Sequence, residues 1–235
     1  MTSDAIAAVE TSLRRRFRVV ETTVPVGSRE ISILHPESAE DLIDERDFEL
    51  DERLPYWAEL WPSSRVLGER LLSIDGTGKS LLELGCGSGV VSTCASLAGF
   101  DVVISDYYED ALRFARVNAA RNKARIPREM LLDWRHLPPT LPRFDFVIAS
   151  DVLYERSYGR VIAKVIAAAL APDGTALVAD PGRVGREEFI RALGHEELEP
   201  RNRVDVPVRM NEIRQTITVF ELAWRSPEKS GSKPF

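Results

Sequence analysis

One glycine-rich stretch constrains the fold of this chain more than any other part of its sequence. An apolar run leads to Glu83, and glycines then occupy three alternate positions of the segment Gly85-Cys-Gly-Ser-Gly89. Glycine permits positive φ and lets a ligand approach the backbone closely. A small-residue segment, Ser92 to Ala98, follows and is typical of a helix. The stretch therefore predicts a strand, a tight turn through Gly85, Gly87 and Gly89, and a helix whose free N-terminal amides face a polar ligand.

The residues around these glycines indicate the charge of that ligand. A dinucleotide-binding fingerprint needs a further glycine where this chain has Val90, and the Gly-Lys-Ser/Thr of a phosphate-binding loop is absent. Glu83 would repel a pyrophosphate, whereas it suits a ligand that carries positive charge. The stretch therefore favours a cationic ligand over NAD or a nucleotide polyphosphate.

Two further acids follow at the ends of the next two predicted strands. The short strand predicted at 101–105 ends in Asp106, which is 23 positions after the acid of the glycine stretch. An acid at about this distance from a glycine turn is placed to bind the two hydroxyls of a ribose. The run 130–132 is followed by Asp133 and Trp134. They suit an adenine, because the carboxylate can accept from its exocyclic amine and the indole can pack on its ring.

The fourth predicted strand, 144–149, runs into Ser150, Asp151 and, three residues later, Tyr154. An amphipathic helix is expected over 155–170, with its apolar stripe buried in the core. Asp151 lies close to the start of this helix. Its carboxylate is therefore expected either to act on a substrate or to cap the helix, and the sequence leaves both open.

The alternation of strands and helices predicts a doubly wound, Rossmann-like α/β sheet. Further helices are expected at 62–74, 109–122 and 185–193, and further strands at 175–179, after a turn at 172–174, and at 204–208 and 214–224. Such sheets bind ligands at the carboxyl ends of their strands, which is where the acids lie. Asn118 and Asn122, four apart on a predicted helix, either cap or tie that helix or have a functional role.

The first part of the chain is predicted to be an extension of this sheet. A short helix is expected over 4–16, and the alternating segment 16–34 predicts a β-hairpin or two short strands with a turn at Gly27-Ser28. Residues 37–54 are strongly acidic and form either a solvated linker or a flexible lip that favours a basic substrate. We therefore divide the chain into an extension with an acidic linker at 1–54, a main domain at 55–225 and a disordered tail at 226–235.

Composition and charge exclude several other classes of protein. The formal net charge of −6 and the pI of about 5.3 argue against a general nucleic-acid-binding protein. No apolar run is long enough to span a membrane, and the N-terminal arginines follow a weakly apolar segment, the reverse of a secretory signal. Cys86 and Cys94 are expected to be free buried thiols. The histidines and cysteines have no metal-ligand spacing. We expect a cytoplasmic protein that binds no metal, nucleic acid or membrane.

The combined motifs resemble those of a known family. They are Trp61-Pro-Ser-Ser, Glu83-Leu-Gly-Cys-Gly-Ser-Gly, Asp106, Asp133-Trp134 and Ser150-Asp-Val-Leu-Tyr154. The pattern, over about residues 56–180, resembles the class I, seven-β-strand S-adenosylmethionine-dependent methyltransferases, and within them the protein-lysine methyltransferases of methyltransferase family 16. Segments 55–62 and 180–183 look most like the type that acts on the electron-transfer flavoprotein β subunit, whereas 151–154 is closer to other members.

The resemblance implies a fold, a cofactor and a set of roles. The sheet should have seven strands with the last antiparallel, and S-adenosylmethionine should be converted to S-adenosylhomocysteine by a monomer that methylates an exposed lysine of a protein. In the family the positions that contact the cofactor match Trp61, Gly85, Gly87, Gly89, Asp106, Trp134 and Ser150, to which the arguments from the residues add Glu83 and Asp133. Asp151 and Tyr154, of the Asp-x-x-Tyr motif, are the expected catalytic residues.

Two other functions stay open on the sequence. The same sheet hosts methyltransferases that act on the nitrogen or oxygen of small molecules, and the fold alone does not separate them from protein methyltransferases. A cofactor-binding fold can also serve as a non-catalytic interaction module. The presence of both Asp106 and Asp151 argues against this last reading.

Overall fold

The computed structural model of the protein describes residues 3–39, 42, 55–210 and 213–226. The strands are β1 (Val19–Val26), β2 (Arg29–Pro36), β3 (Ser80–Leu84), β4 (Asp101–Asp106), β5 (Arg128–Leu131), β6 (Phe144–Ser150), β7 (Leu170–Asp180), β8 (Leu198–Met210) and β9 (Ile213–Trp224). The helices are α1 (Ser3–Arg16), α2 (Pro62–Leu72), α3 (Val90–Leu97), α4 (Glu109–Arg121), α5 (Arg156–Ala169) and α6 (Arg186–Leu193), with a 3₁₀ turn at Tyr56–Ala58. The acidic stretch and the tail predicted at 226–235 lie almost wholly outside the described residues, and the domain boundaries stay predictions.

Seven strands form one sheet in the order β5-β4-β3-β6-β7-β9-β8. β5, β4, β3, β6 and β7 are parallel, and β9 is antiparallel to both β7 and β8. The predicted Rossmann-like sheet with an antiparallel last strand is therefore confirmed. Because β3 and β4 lie side by side and β6 is the other neighbour of β3, the carboxyl ends of these strands meet at one edge.

Helices cover both faces of this sheet, which explains the almost continuous apolar run of its central strand. Leu82 and Leu84 of β3 belong to the buried layer that contains α5 and α6. Leu81, which points the other way, belongs to the layer that contains α2 and α3. A strand buried on both faces has no solvent side on which to alternate polar residues. Within the part of the chain that the structure describes, no helix is long and apolar enough to cross a membrane.

The start of β7 corrects one prediction. Residues 172–174 were expected to form a turn before the strand, but β7 already pairs with β6 at Leu170. The pairing resumes at Thr175, opposite Phe146, so that residues 171–174 bulge out opposite the single residue 145. The indole N–H of Trp224 donates to the carbonyl of Ala171 at 2.8 Å and satisfies one of the bulge's backbone groups. The Pro-Asp-Gly sequence thus forms a bulge within β7 instead of a separate turn before it.

The N-terminal extension has the predicted helix and hairpin. β1 and β2 pair in register from Val19 opposite Pro36 to Val26 opposite Arg29, and Gly27 in the turn between them has φ of 57°. This two-stranded sheet is separate from the main sheet. It packs on α4 through a buried cluster that includes Leu34 of β2 and Phe114 of α4.

Candidate functional site

One open cleft of about 920 Å³ lies at the carboxyl edge of the sheet. All the residues predicted to bind a cofactor or to act in catalysis line it: Trp61, Glu83, Gly85, Gly87, Gly89, Asp106, Asp133, Trp134, Ser150, Asp151 and Tyr154. The structure therefore brings the predicted residues to one place, while their individual roles stay predictions.

The glycine loop between β3 and α3 has a shape that strongly favours glycine. Gly85, Gly87 and Gly89 all have positive φ, of 67°, 51° and 82°. A Cβ atom on Gly85 would lie 3.1 Å from the Trp134 ring, and one on Gly87 would lie 3.0 Å from the carbonyl oxygen of Trp57. The backbone of the loop is thus exposed to the cleft on one side and held closely on the other.

Asp106, at the end of β4, fixes this loop from the side of the cleft. Its carboxylate is 5% exposed; Oδ2 accepts from the backbone N–H of Gly87 at 3.0 Å, and Oδ1 accepts from that of Tyr108 at 3.1 Å. Burial raises the pKa of Asp106 to about 6, although these backbone hydrogen bonds oppose the shift. The backbone of Tyr107 is a third hydrogen-bond partner, so the carboxylate keeps about one of its roughly four lone-pair sites for a ribose hydroxyl.

Glu83 is the most unusual acid in the cleft. It is 2% exposed, and its Oε2 atom has no hydrogen-bond partner among the described residues. Burial raises the pKa of Glu83 to about 8, and the nearby Asp106 adds to the shift, whereas hydrogen bonds with Ser92 oppose it. A buried carboxylate oxygen without a hydrogen-bond partner costs stability, and a cationic group in the cleft would relieve that cost.

Asp133 and Trp134 differ in how much they offer to a ligand. Both Asp133 oxygens already accept from Arg135, and His136 Nδ1 lies 3.1 Å from Oδ2. Partial burial opposes ionisation of Asp133, but these bonds outweigh it and hold its pKa well below the usual range. The indole of Trp134, by contrast, has a buried N–H that lacks a partner in the part of the chain that the structure describes.

Asp151 has an internal partner that the sequence did not reveal. Its side chain is 2% exposed; Oδ2 accepts from Ser63 Oγ at 2.8 Å, and Oδ1 accepts from Arg183 Nε. The Arg183 guanidinium also lies 4.8 Å from the centre of the Trp61 ring, a cation–π contact. Since α5 begins at Arg156 with Glu155 at its N-cap, Asp151 does not cap the helix.

Aromatic side chains form the wall next to Asp151. The Tyr154 ring lies 5.1 Å from the rings of both Tyr56 and Tyr158. Burial raises the pKa of Tyr154 well above its usual range, so its hydroxyl stays protonated and is a hydrogen-bonding group rather than a base. Tyr158 was predicted to lie only in the core, and this was wrong in part, because it packs in the core and also lines the cleft.

Other residues of the cleft were not predicted. They are Tyr56, Trp57, Glu59, Tyr107, Tyr108 and Val152, among others. Tyr56 and Trp57 lie in the Pro-Tyr-Trp-Ala segment, whose unusual density of aromatic residues was the available signal. The two cysteines are free and buried, as predicted.

The fold and the cleft together define a protein with the class I methyltransferase fold. Among solved structures, the chain is similar to magnesium protoporphyrin IX methyltransferase from Synechocystis PCC 6803 with bound S-adenosylmethionine. The TM-score is 0.57, with 20% identity over 79% of this chain and 94% of that chain. A family model described as lysine methyltransferase, of methyltransferase family 16, matches residues 57–196, more than half of the chain. The chain therefore belongs to this lysine methyltransferase family.

Curated relatives show which members the chain is similar to. It is 26% identical to the zebrafish (Danio rerio) electron transfer flavoprotein beta subunit lysine methyltransferase, over 61% of this chain and 58% of that protein. It is 29% identical to mouse (Mus musculus) EEF1A lysine methyltransferase 3, over 78% of this chain and 79% of that protein. Among the first relatives matched, the chain spans only 40–58% of their length.

Proposed function

We propose that this protein is an S-adenosylmethionine-dependent methyltransferase that methylates the side-chain nitrogen of a lysine in a protein substrate. The observation that carries the proposal is the unpartnered carboxylate oxygen of Glu83, buried beside a glycine loop in the cleft at the carboxyl edge of the sheet. A bound cation would stabilise this buried carboxylate, and S-adenosylmethionine carries two positive groups, a sulfonium and an α-ammonium. The names of the family and of its relatives support lysine as the acceptor.

The residues present fit this cofactor. Asp106 keeps a lone pair for a ribose hydroxyl, and Trp134 offers a ring face and a buried N–H near the glycine loop. Glu83 supplies a carboxylate for a positive group. When bound, the cofactor supplies an electrophilic methyl group to an attacking nitrogen.

The chain's own residues would prepare the acceptor nitrogen. Lysine has a pKa near 10.4, so the amine must lose its proton before it can attack. An unpaired buried carboxylate beside the amine would hold it in its charged form. In the ion pair between Asp151 and Arg183, the positive guanidinium cancels much of the electric field of the carboxylate. The protonated Tyr154 hydroxyl lines the same cleft and can form a hydrogen bond. The site thus favours an aligned neutral amine.

Replacing Asp106 with alanine is expected to weaken cofactor binding by about 1.5–3 kcal/mol, the scale of lost hydrogen bonds to a charged group. Calorimetry with S-adenosylmethionine measures the change. Asp101→Ala, at the other end of β4, is the matched control and should bind normally. Unchanged affinity in the Asp106 variant would remove that residue from the ribose role.

Cofactor affinity is expected to depend on pH through Glu83. Its pKa in the free protein is about 8, and a cation in the cleft would lower it, so binding near pH 7 should release a proton. Affinity should therefore fall by up to about tenfold per unit as the pH drops below 8. Calorimetry in buffers of different ionisation enthalpy detects the proton. The Glu83→Gln variant should lose this release and retain only the titrations of Asp106, whose pKa is about 6, and of the cofactor's own amine; an identical profile in both proteins would contradict the assignment.

Radiolabelled methyl transfer tests the proposed activity. The protein is incubated with S-adenosylmethionine labelled in its methyl group and a fractionated lysate of the host, with Asp106→Ala as the control. Label in a discrete protein band, lost in the control and mapped to lysine, is the expected result. Label in small molecules alone would support the alternative acceptor class, and no label with normal cofactor binding would support a non-catalytic module. Cytoplasmic location, a monomeric state and the absence of nucleic-acid binding stay predictions.

A further inference from the structure

Asn118 of α4 is fully buried, and its side-chain amide joins two parts of the chain that are distant in sequence. Oδ1 accepts from the backbone N–H of Leu34 in β2 at 2.8 Å. Nδ2 donates to the carbonyl of Leu34 and to the carbonyl of Ser88 in the glycine loop, each at 2.8 Å. An amide nitrogen carries two N–H donors, so these contacts use both. One rigid group thus holds the hairpin and the glycine loop together.

Asn122, one helical turn later, makes the same contacts with the hairpin but not with the loop. Its Oδ1 accepts from the N–H of Ser32 at 2.9 Å, and its Nδ2 donates to the Ser32 carbonyl at 2.7 Å and to the Asn118 carbonyl at 2.8 Å. Residues two apart on a strand face the same edge, and residues four apart on a helix face the same side. The two asparagines therefore bind the edge of β2 much as another strand would.

Trp57 makes a second connection between the N-terminal extension and the glycine loop. The Trp57 carbonyl accepts from Ser88 Oγ at 3.4 Å and lies directly against Gly87. The Trp57 ring packs on Phe17, which follows α1, and on Phe114 of α4, at 6.3 and 5.7 Å between ring centres. Asp106 holds the loop through the N–H of Gly87, and Trp57 holds it at Gly87 and Ser88.

The hydrogen bond to the Ser88 carbonyl constrains the backbone conformation of the glycine loop. Because the peptide bond is planar, the direction of the Ser88 C=O also fixes the direction of the Gly89 N–H. That N–H donates to the Cys86 carbonyl at 2.9 Å and closes the turn. The hydrogen bond from Asn118 therefore constrains the backbone that faces the cofactor.

We propose that Asn118 is a positioning residue for the cofactor, which couples the docked N-terminal hairpin to the glycine loop so that cofactor affinity depends on the hairpin being in place. The inference rests on the proposed function, which supplies the ligand. Coupling between two sites is reciprocal, so cofactor binding also stabilises the docked hairpin.

Asn118→Ala and Asn122→Ala form a matched pair for the test, because both remove two hydrogen bonds to the hairpin and only the first removes the bond to Ser88. Calorimetry with S-adenosylhomocysteine measures affinity, and thermal unfolding without ligand measures stability. We expect both variants to lose stability, Asn118→Ala to bind about tenfold or more weakly than the wild type, and Asn122→Ala, which loosens the hairpin but keeps the bond to Ser88, to lose less affinity. Equal affinities in the two variants would overturn the positioning role of the hydrogen bond between Asn118 and Ser88.

Amide hydrogen exchange on the wild-type protein tests the same coupling without a variant that might fail to fold. Saturating S-adenosylhomocysteine should slow exchange at the Leu34 amide, which Asn118 binds, more than at the Ser32 amide, which Asn122 binds. Exchange unchanged at both amides, with the ligand shown to be bound, would overturn the inference. Failure of the wild-type protein to bind the ligand would instead contradict the proposed function.

Discussion

Replacing Gly89 with alanine is expected to destabilise the protein by about 2–5 kcal/mol and to weaken cofactor binding. Gly89 has φ of 82°, a left-handed conformation that costs a residue with a Cβ roughly 1–2 kcal/mol. A Cβ atom there would also lie 2.6 Å from the Cα atom of Ala115 in α4, a contact that the backbone must move to relieve. Such overpacking typically costs a further 1–3 kcal/mol or so. The glycine loop and α4 would have to separate where the loop faces the cofactor.

Gly78→Ala is the matched control for this substitution. Gly78 also has positive φ, of 74°, but a Cβ atom on it would meet no other atom within 4 Å. Urea unfolding should therefore show a loss of about 1–2 kcal/mol for Gly78→Ala, from backbone strain alone, and a clearly larger loss for Gly89→Ala. Equal losses in the two variants would show that α4 moves aside at little cost.

The sheet and the location of the cleft could be predicted because they depend on local patterns and a general rule of topology. Apolar runs that end in Glu83, Asp106 and Asp151 were each readable as strands, and parallel strands place their carboxyl ends at one edge. The glycines at positions 85, 87 and 89 predicted the tight turn, and their positive φ values explain why this turn favours glycine.

The partners of those acids could not be predicted, because they depend on contacts between distant residues. Asp151 is paired with Arg183, which is 32 positions away, and Asn118 binds Leu34, which is 84 positions away. No periodicity or spacing encodes such pairs. For Asp133 the sequence placed the residue at the cleft but could not show that Arg135 already binds both carboxylate oxygens. The sequence thus predicted where these side chains lie better than whether their hydrogen-bonding atoms are free to bind a ligand.

Replacing Asp151 with asparagine is expected to cut methyl transfer by about 100-fold or more while leaving cofactor affinity near normal. The asparagine keeps an oxygen that can accept from Ser63, but it places N–H groups where the Arg183 Nε donor lies, so the ion pair is lost. Misplacement of groups near a reacting atom costs factors of this size. Because Arg183 is 33% exposed and can turn towards water, we expect only about 1 kcal/mol of lost stability. Turnover on the acceptor found by radiolabelling, with calorimetry for the cofactor, measures the two effects separately.

Arg183→Gln breaks the same ion pair from the other side and shows what the carboxylate itself contributes. If Asp151 serves only to anchor Arg183 against Trp61, the two variants should lose turnover equally, and the double variant should be no worse than either single one. If the carboxylate also orients the acceptor, Asp151→Asn should be much the slower enzyme. Arg183→Gln should then require a higher pH for full activity, because the unpaired carboxylate would raise the pKa of the acceptor amine. Near-normal turnover in Asp151→Asn would remove this residue from the catalytic site altogether.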